Sequence, residues 1–334
     1  MTDIQPQDRI VTVFGGSGFI GRHLVRSLAR DGWRIRVATR RPDLAFHLQP
    51  LGRVGQINAV QANIRYPDSL AAALRGAEAA VNLVGILAPW GKQTFDGVQA
   101  EGAAAVAKAA QAAGISNFVH VSAIGADPNS PSAYARTKAA GEAAVLAALP
   151  SAKILRPSVV FGPEDQFFNR FAAMARFLPA LPLIGGGVTK LQPVYVGDVA
   201  KAGARLLGGQ GKDGAVYELG GPEVKSMREV LEYTLATIHR RRLLAPLPFG
   251  PAAALGSVTE TLNKLLLGLL PAEFVFTADQ VELLKRDNVV SEQASVEGRT
   301  LAGLGIAPES IEAIVPTYLY RFRKTGQYAD QRAV

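Results

Sequence analysis

Residues 13–25 read VFGGSGFIGRHLV. Val13 and Phe14 close an apolar, strand-like run. Three glycines follow at Gly15, Gly18 and Gly21, and the pattern then turns helical. The first glycine permits a tight turn off the strand, the second lets the backbone approach a pyrophosphate, and the third lets the helix pack close to the sheet. A helix amino terminus placed there offers free N–H groups and positive partial charge to phosphates. Three spaced glycines alone are a weak sign, but behind the first strand of an alternating pattern they point to a dinucleotide. A turn that merely needs small residues accounts for one or two of them, not all three.

The alternation is present. RIVTVF, RIRVAT, INAVQA, AAVNLV, NFVHVS and AKILRP are short, Val- and Ile-rich runs separated by helical patterns ending at Gly or Pro. Near-continuous apolar runs suit parallel strands covered on both faces. The expected fold is therefore α/β, a doubly wound parallel sheet with its ligand at the carboxyl ends of the strands. After Pro157 the rhythm breaks into a loop, a helix from about Asp165, a proline-rich turn, and a short strand leading to a helix entry capped by Asp198. The expected division is a nucleotide-binding domain over residues 1–160, with 190–220 returning to it. Residues 161–189 and 221–330 then form a smaller C-terminal lobe.

Composition narrows the function. The 334 residues include no cysteine and four histidines, which excludes disulfides and thiolate metal sites and leaves no metal site expected. The opening MTDIQPQDRIVTVF lacks a basic region followed by a long apolar run, so no signal peptide is expected and the protein reads as cytoplasmic. The net charge of +8 gathers in RRPD, IHRRRLL and LYRFRKTG. That suits either a solvated basic face or an acidic partner, such as an anionic membrane surface, and no block is long enough to suggest a nucleic-acid tail. The most apolar stretch, residues 247–270, is broken by Pro, Gly and charge and falls short of a membrane span. It reads as a core helix of the second lobe, with an interfacial or docking helix as the alternative.

Two further stretches carry chemistry. After the second strand, where a ribose-binding carboxylate would favour NAD, the chain has VATRRPD. Arg40 and Arg41 suit an adenosine 2′-phosphate, with Thr39 adding a hydroxyl, so NADP(H) is the expected cofactor. Asn63, after the third strand, stands where an amide reads the adenine edge. In SAYARTKAAGEAAV, Tyr134 and Lys138 share a helix face. An ammonium beside a phenol favours phenolate, and Ser122 after the fifth strand can bond a substrate carbonyl.

The glycine pattern, NLVG, Ser122, the Tyr134/Lys138 pair and RPSVVFGPED together resemble the extended short-chain dehydrogenase/reductase superfamily, with its Rossmann fold. FGGSGFIGRHLV, YARTKAAGE, LRPSVVFGPEDQFFNRFA, LQPVYVGDVAKA and TADQVELLKRDNVVS resemble its atypical branch: the nucleotide-binding accessory subunit of respiratory complex I, the alpha-subcomplex subunit nine family. That resemblance implies tightly held NADP(H), complex I subunits of the peripheral arm as partners, and a peripheral position on the cytoplasmic face of the inner membrane. It also implies no turnover of the subunit's own. It implies cofactor contacts at Gly15, Gly18, Phe19, Ile20, Gly21, Arg40, Arg41, Asn63, Val84 and Pro157, and catalytic-type positions at Ser122, Tyr134 and Lys138. Tyr134 and Lys138 fit equally well as contacts to the nicotinamide ribose. The rival reading is an active NADP-dependent reductase or epimerase using Ser122, Tyr134 and Lys138, with Gln166, Asn169 and Arg170 as polar candidates from the second lobe.

Overall fold

The computed structural model describes residues 9–266, 269, 275–324 and 326. The chain divides into two units. The first comprises Met1–Pro157, Val196–Leu219 and Ser291–Ala307, and the second Ser158–Tyr195, Gly220–Val290 and Pro308–Val334. This differs from the division expected from sequence: the return begins at 196 rather than 190, and 291–307 belongs to the first unit instead of the C-terminal lobe. Hydrogen bonds explain the second difference. Glu218 N donates to Arg299 O, the Arg299 guanidinium donates to Val216 O, and Ser291 N donates to Glu218 Oε2 at 2.8 Å. The segment thereby covers the edge of a sheet, where unpaired backbone groups would otherwise lie open.

That sheet has seven strands: β1 (Ile10–Phe14), β2 (Arg34–Thr39), β3 (Ile57–Gln61), β4 (Ala79–Asn82), β5 (Asn117–Val121), β6 (Lys153–Pro157) and β7 (Val216–Leu219). The order is β7-β6-β5-β4-β1-β2-β3, and every pair is parallel. All six strands read from sequence form, and β7 adds an edge. β1 lies between β2 and β4, so the connections leave in opposite directions there and open a crevice at the strand carboxyl ends. Helices α1 (Phe19–Arg30), α2 (Pro67–Leu74), α3 (Glu101–Ala112) and α4 (Ala133–Ala148) connect the strands. Phe14, Leu70, Leu74, Val106, Phe118, Val145 and Ile154 are buried between sheet and helices. Each such side chain stabilises the fold by about 1.5–3 kcal/mol. On the other face, Leu24, Val25 and Leu28 bury α1 against the helix Val196–Leu207. Asp198 sits in the first turn of that helix rather than capping it, where a carboxylate still favours the positive helix end.

The second unit has its own core of Phe161, Phe168, Leu181, Leu183, Leu231 and Leu319. Its first helix runs Phe168–Phe177, starting later than expected because Asp165 is spent on the preceding turn. Asp165 Oδ1 accepts from Phe167 N and Asn169 N, while Oδ2 accepts from the Tyr318 hydroxyl at 2.6 Å. Strand Ala180–Ile184 pairs in parallel with Leu243–Leu247, which leads into the helix Phe249–Leu265. This helix is not the core helix expected for residues 247–270, part of which lies outside the described residues. It packs through Ala252 and Gly256, where a Cβ would sit 2.9 Å from Ala278 N. Leu255, Val258, Leu262 and Leu265 remain exposed. Among the described residues no helix is long and apolar enough to cross a membrane.

Candidate nucleotide site

The glycine turn is built as its spacing requires. Gly15 adopts φ +79°, its N–H donates to Ala38 O, and Gly18 N donates to Gly15 O at 3.0 Å. A Cβ on Gly21 would fall 2.4 Å from Gly15 O, so only glycine lets α1 start this close to β1. Gly18 is less constrained: its Cβ would meet only Gly15 O, at 3.3 Å, a tight contact that a shift of a few tenths of an ångström relieves. Gly18 is the N-cap of α1, with no side-chain cap and no acidic residue in the first turn. The arrangement fits a pyrophosphate. Phe19 and Ile20 begin α1. Val84 lies against Gly15 from the end of β4, where its N–H donates to Asn82 Oδ1 at 3.1 Å.

The two arginines after β2 separate in role. Arg41 is paired with Asp43, at 2.7 Å on an exposed turn, whereas Arg40 is not engaged by that carboxylate. Arg40 is therefore the better placed of the two for a 2′-phosphate. The Asn63 amide is partly spent: its Oδ1 accepts from Arg65 N at 3.2 Å, which leaves Nδ2 as the group available toward an adenine.

Tyr134 and Lys138 lie on α4, whose start is capped by Ser132 Oγ accepting from Ala135 N. The Lys138 ammonium sits 5.8 Å from the Tyr134 ring centre and donates to Val121 O at 3.3 Å. A Cβ added to Gly85 would come within 3.2 Å of it. Lys138 is thus held between the carboxyl ends of β4 and β5. Burial pushes it down to about 8, and the Glu142 carboxylate one turn along opposes that shift. Glu142 is itself held by Arg156 from β6, with hydrogen bonds of 2.9 and 2.6 Å.

Ser122 follows β5, its N–H donating to Leu155 O at 2.7 Å, and Ile124 N donates to Pro157 O. The Ser122 hydroxyl is buried with no hydrogen-bond partner. A buried hydroxyl without a partner costs free energy, so this one fits a carbonyl or ribose group supplied by a ligand. The glycine turn, Ser122, Tyr134 and Lys138 thereby share one end of the sheet. No cluster of metal-ligating side chains occurs among the described residues.

Several residues that shape the site carried no sequence signal. Gln99, buried in the turn Asp96–Ala100, donates to Ile86 O at 2.7 Å and accepts from the Thr137 hydroxyl at 2.9 Å, tying α4 to the loop after β4. Phe95 meets the Tyr134 ring edge-on at 5.9 Å. Beneath Lys138, Asn82 and His120 share a buried contact of 3.2 Å, and burial pushes His120 down to about 3, helped by the Lys138 charge. Of the second-unit candidates, Asn169 donates to Pro163 O and Asp165 O, and Arg170 donates to Val275 O and lies 4.3 Å from the centre of the Phe276 ring. Gln166 is exposed. These bonds of Asn169 and Arg170, both half-buried, lie within their own unit.

Residues 11–220 match the model of the NAD dependent epimerase/dehydratase family. The chain belongs to that family. It is 36% identical to NADH dehydrogenase [ubiquinone] 1 alpha subcomplex subunit 9, mitochondrial, of Arabidopsis thaliana, over 95% of this chain and 79% of the relative. It is 38% identical to the ceramide reductase of Caulobacter vibrioides over a shorter span, 57% of this chain and 58% of the relative. Among solved structures, DesIV, a dTDP-glucose 4,6-dehydratase from Streptomyces venezuelae with NAD and TYD bound, superposes with a TM-score of 0.68 at 21% identity. That match covers 97% of this chain and 98% of the other. The epimerase/dehydratase match spans β1 through β7, and therefore every element that positions the site.

Proposed function

We propose that this protein is an NADP(H)-binding accessory subunit of a complex-I-type NADH:ubiquinone oxidoreductase, with a structural role at the peripheral arm beside the inner membrane. The observation that carries this reading is the 36% identity to the plant subunit nine, which extends through 95% of the chain, well beyond the nucleotide-binding family match. In this reading Gly15, Gly18 and Gly21 hold the pyrophosphate, Arg40 the 2′-phosphate, and Tyr134 and Lys138 the nicotinamide ribose. NADP(H) is then a fixed part that orders the carboxyl edge of the sheet, stabilising the native state through binding.

A second reading, an active reductase, is favoured by one feature: the unpartnered Ser122 hydroxyl beside an intact Tyr134/Lys138 pair. When bound, NADP(H) would supply or accept a hydride. Ser122 would donate to the carbonyl oxygen, the Tyr134 phenol would deliver its proton, and Lys138 would hold the ribose. The similarity to a ceramide reductase suggests a long-chain ketone as the first substrate to try.

Affinity purification from native membranes, with mass spectrometry of co-purifying proteins and released nucleotide, tests both. Complex I subunits with stoichiometric NADP(H) support the subunit. A lone protein that loses its nucleotide on washing and reduces ketones supports the enzyme.

A further inference from the structure

The motif IHRRRLL, which the nucleotide site does not use, forms part of a surface in the second unit. Arg240, Arg241 and Arg242 follow the helix Met227–Thr237, and Arg176 stands at the end of the helix Phe168–Phe177. The segments are joined: Arg242 Nε donates to Ala175 O at 2.8 Å, Leu243 N donates to Pro179 O, and Leu243 pairs with Ala180. Charges of Arg242 and Arg176 both press on Arg240, whose guanidinium is held below its ordinary range by burial first and then by these two neighbours. Among the described residues no carboxylate forms an ion pair with Arg176, Arg240, Arg241 or Arg242. A like-charge cluster without counter-charge is unfavourable in the isolated protein and is relieved by an anionic partner.

Two large apolar side chains interrupt the cluster. Phe177 is 71% exposed and Leu243 is 75% exposed, each directly following one of the arginines. Two arginine–apolar pairs thus emerge side by side from neighbouring backbone. This arrangement matches the interfacial zone of a bilayer, where apolar side chains enter the acyl boundary while guanidinium groups stay among phosphates. An acidic protein surface would satisfy the charges, whereas a bilayer interface takes up the charges together with the exposed Phe177 and Leu243, the Phe177 ring centre lying 5.6 Å from the Arg176 guanidinium.

We propose that Arg176, Arg240, Arg241 and Arg242, with Phe177 and Leu243, form a docking site for an anionic phospholipid surface. The inference deepens the membrane-side placement proposed above and rests on it for its setting. The site draws the protein down by charge and seats it through the two apolar side chains. Each arginine contributes roughly fivefold to the affinity at low salt.

The test is flotation of the purified full chain with vesicles of phosphatidylcholine alone, or of phosphatidylcholine mixed with phosphatidylglycerol. Wild type is expected to float with the mixed vesicles only, and to be released by salt. Arg176→Glu with Arg241→Glu, neither of which bonds to protein backbone, should reduce binding more than tenfold with unchanged melting temperature. Phe177→Ser with Leu243→Ser should bind at low salt but release at a lower salt concentration than wild type. Equal flotation with neutral vesicles, unchanged binding of the arginine variant, or no flotation of wild type overturns the proposal. If wild type ignores vesicles while the arginine variant loses complex I subunits, the surface serves an acidic protein instead. Nucleotide content and complex I co-purification, measured on the same preparations, report separately on the subunit reading.

Discussion

Lys138 shows how a single residue is set by its neighbours. Its ammonium is buried at the carboxyl ends of β4 and β5, and burial holds it near 8, below its ordinary value of 10.5. Between those values the unfolded chain binds more protons than the folded one, so this group makes stability rise with pH from about 8 to 10.5. At pH 7 the buried charge is therefore a net cost to the nucleotide-free protein. Lys138→Met should raise its melting temperature by a few degrees, about 1–2 kcal/mol, while weakening NADP(H) retention. Both changes are readable by thermal denaturation with and without nucleotide. Glu142 opposes the burial effect, and the other groups facing Lys138 are the neutral His120 from β5 and Tyr134 on its own helix. Glu142→Gln should thus lower, by about one unit, the pH at which NADPH fluorescence reports nucleotide loss. An unshifted midpoint would reduce Glu142 to an anchor for Arg156. Arg40→Asp should weaken NADP(H) far more than NAD(H) in the same titration, and equal losses would remove Arg40 from the 2′-phosphate.

At the scale of elements, glycines decide how closely helices approach the strands and each other. Gly18 and Gly21 occupy the same turn yet have different reasons to be glycine. Gly21→Ala drives a Cβ into Gly15 O and should destabilise the protein by about 2–3 kcal/mol whether or not nucleotide is present. Gly18→Ala meets one tight contact, Gly15 O at 3.3 Å, so urea unfolding of the nucleotide-free protein should change far less than for Gly21→Ala. If the proposed nucleotide site holds, its larger effect falls on the pyrophosphate and should appear as weaker binding. A loss in the nucleotide-free Gly18 variant as large as that of the Gly21 variant would show that Gly15 O does not yield. α4 has a parallel constraint, because a Cβ on Gly141 would lie 2.2 Å from Gln99 O. Gly141→Ala should therefore cost about 1–3 kcal/mol and displace Tyr134 and Lys138 together.

For the whole molecule, acid is the informative stress. His120 is fully buried and held near 3, against an ordinary value of 6.5. The unfolded chain takes up this proton first, so stability falls as pH drops from about 6.5 toward 3. His120→Gln should flatten that dependence by a few kcal/mol, seen as a smaller change of urea midpoint with pH. An identical slope in both proteins would move the acid sensitivity to carboxylate pairs such as Glu142–Arg156. The basic surface at Arg240 and the exposed leucines of Phe249–Leu265 belong to this scale too, since their meaning depends on what the molecule meets.

Much of the fold and the frame of the site were legible because they follow local rules. Six strands, their parallel arrangement, the glycine turn at Gly15 and the Tyr134/Lys138 pair all depend on periodicity and spacing within short segments. The reading fell short wherever distant segments decide a residue's role. Residues 291–307 join the first unit because β7 offers them backbone partners, and the Asp165 carboxylate that anchors a local turn also receives Tyr318, far along the chain. The apolar run 247–270 reads as core, yet its helix packs through Ala252 and Gly256 and leaves leucines exposed. Hydrophobicity reports what a segment is able to bury, not whether a neighbour arrives to cover it. Gln99 and His120 carry ordinary local signals, and only the tertiary structure placed them against α4 and Lys138. The sequence by itself determined the nucleotide-binding scaffold through local backbone geometry. Tertiary structure decided the electrostatics of the site, because burial and charge proximity exist only once the strands have paired.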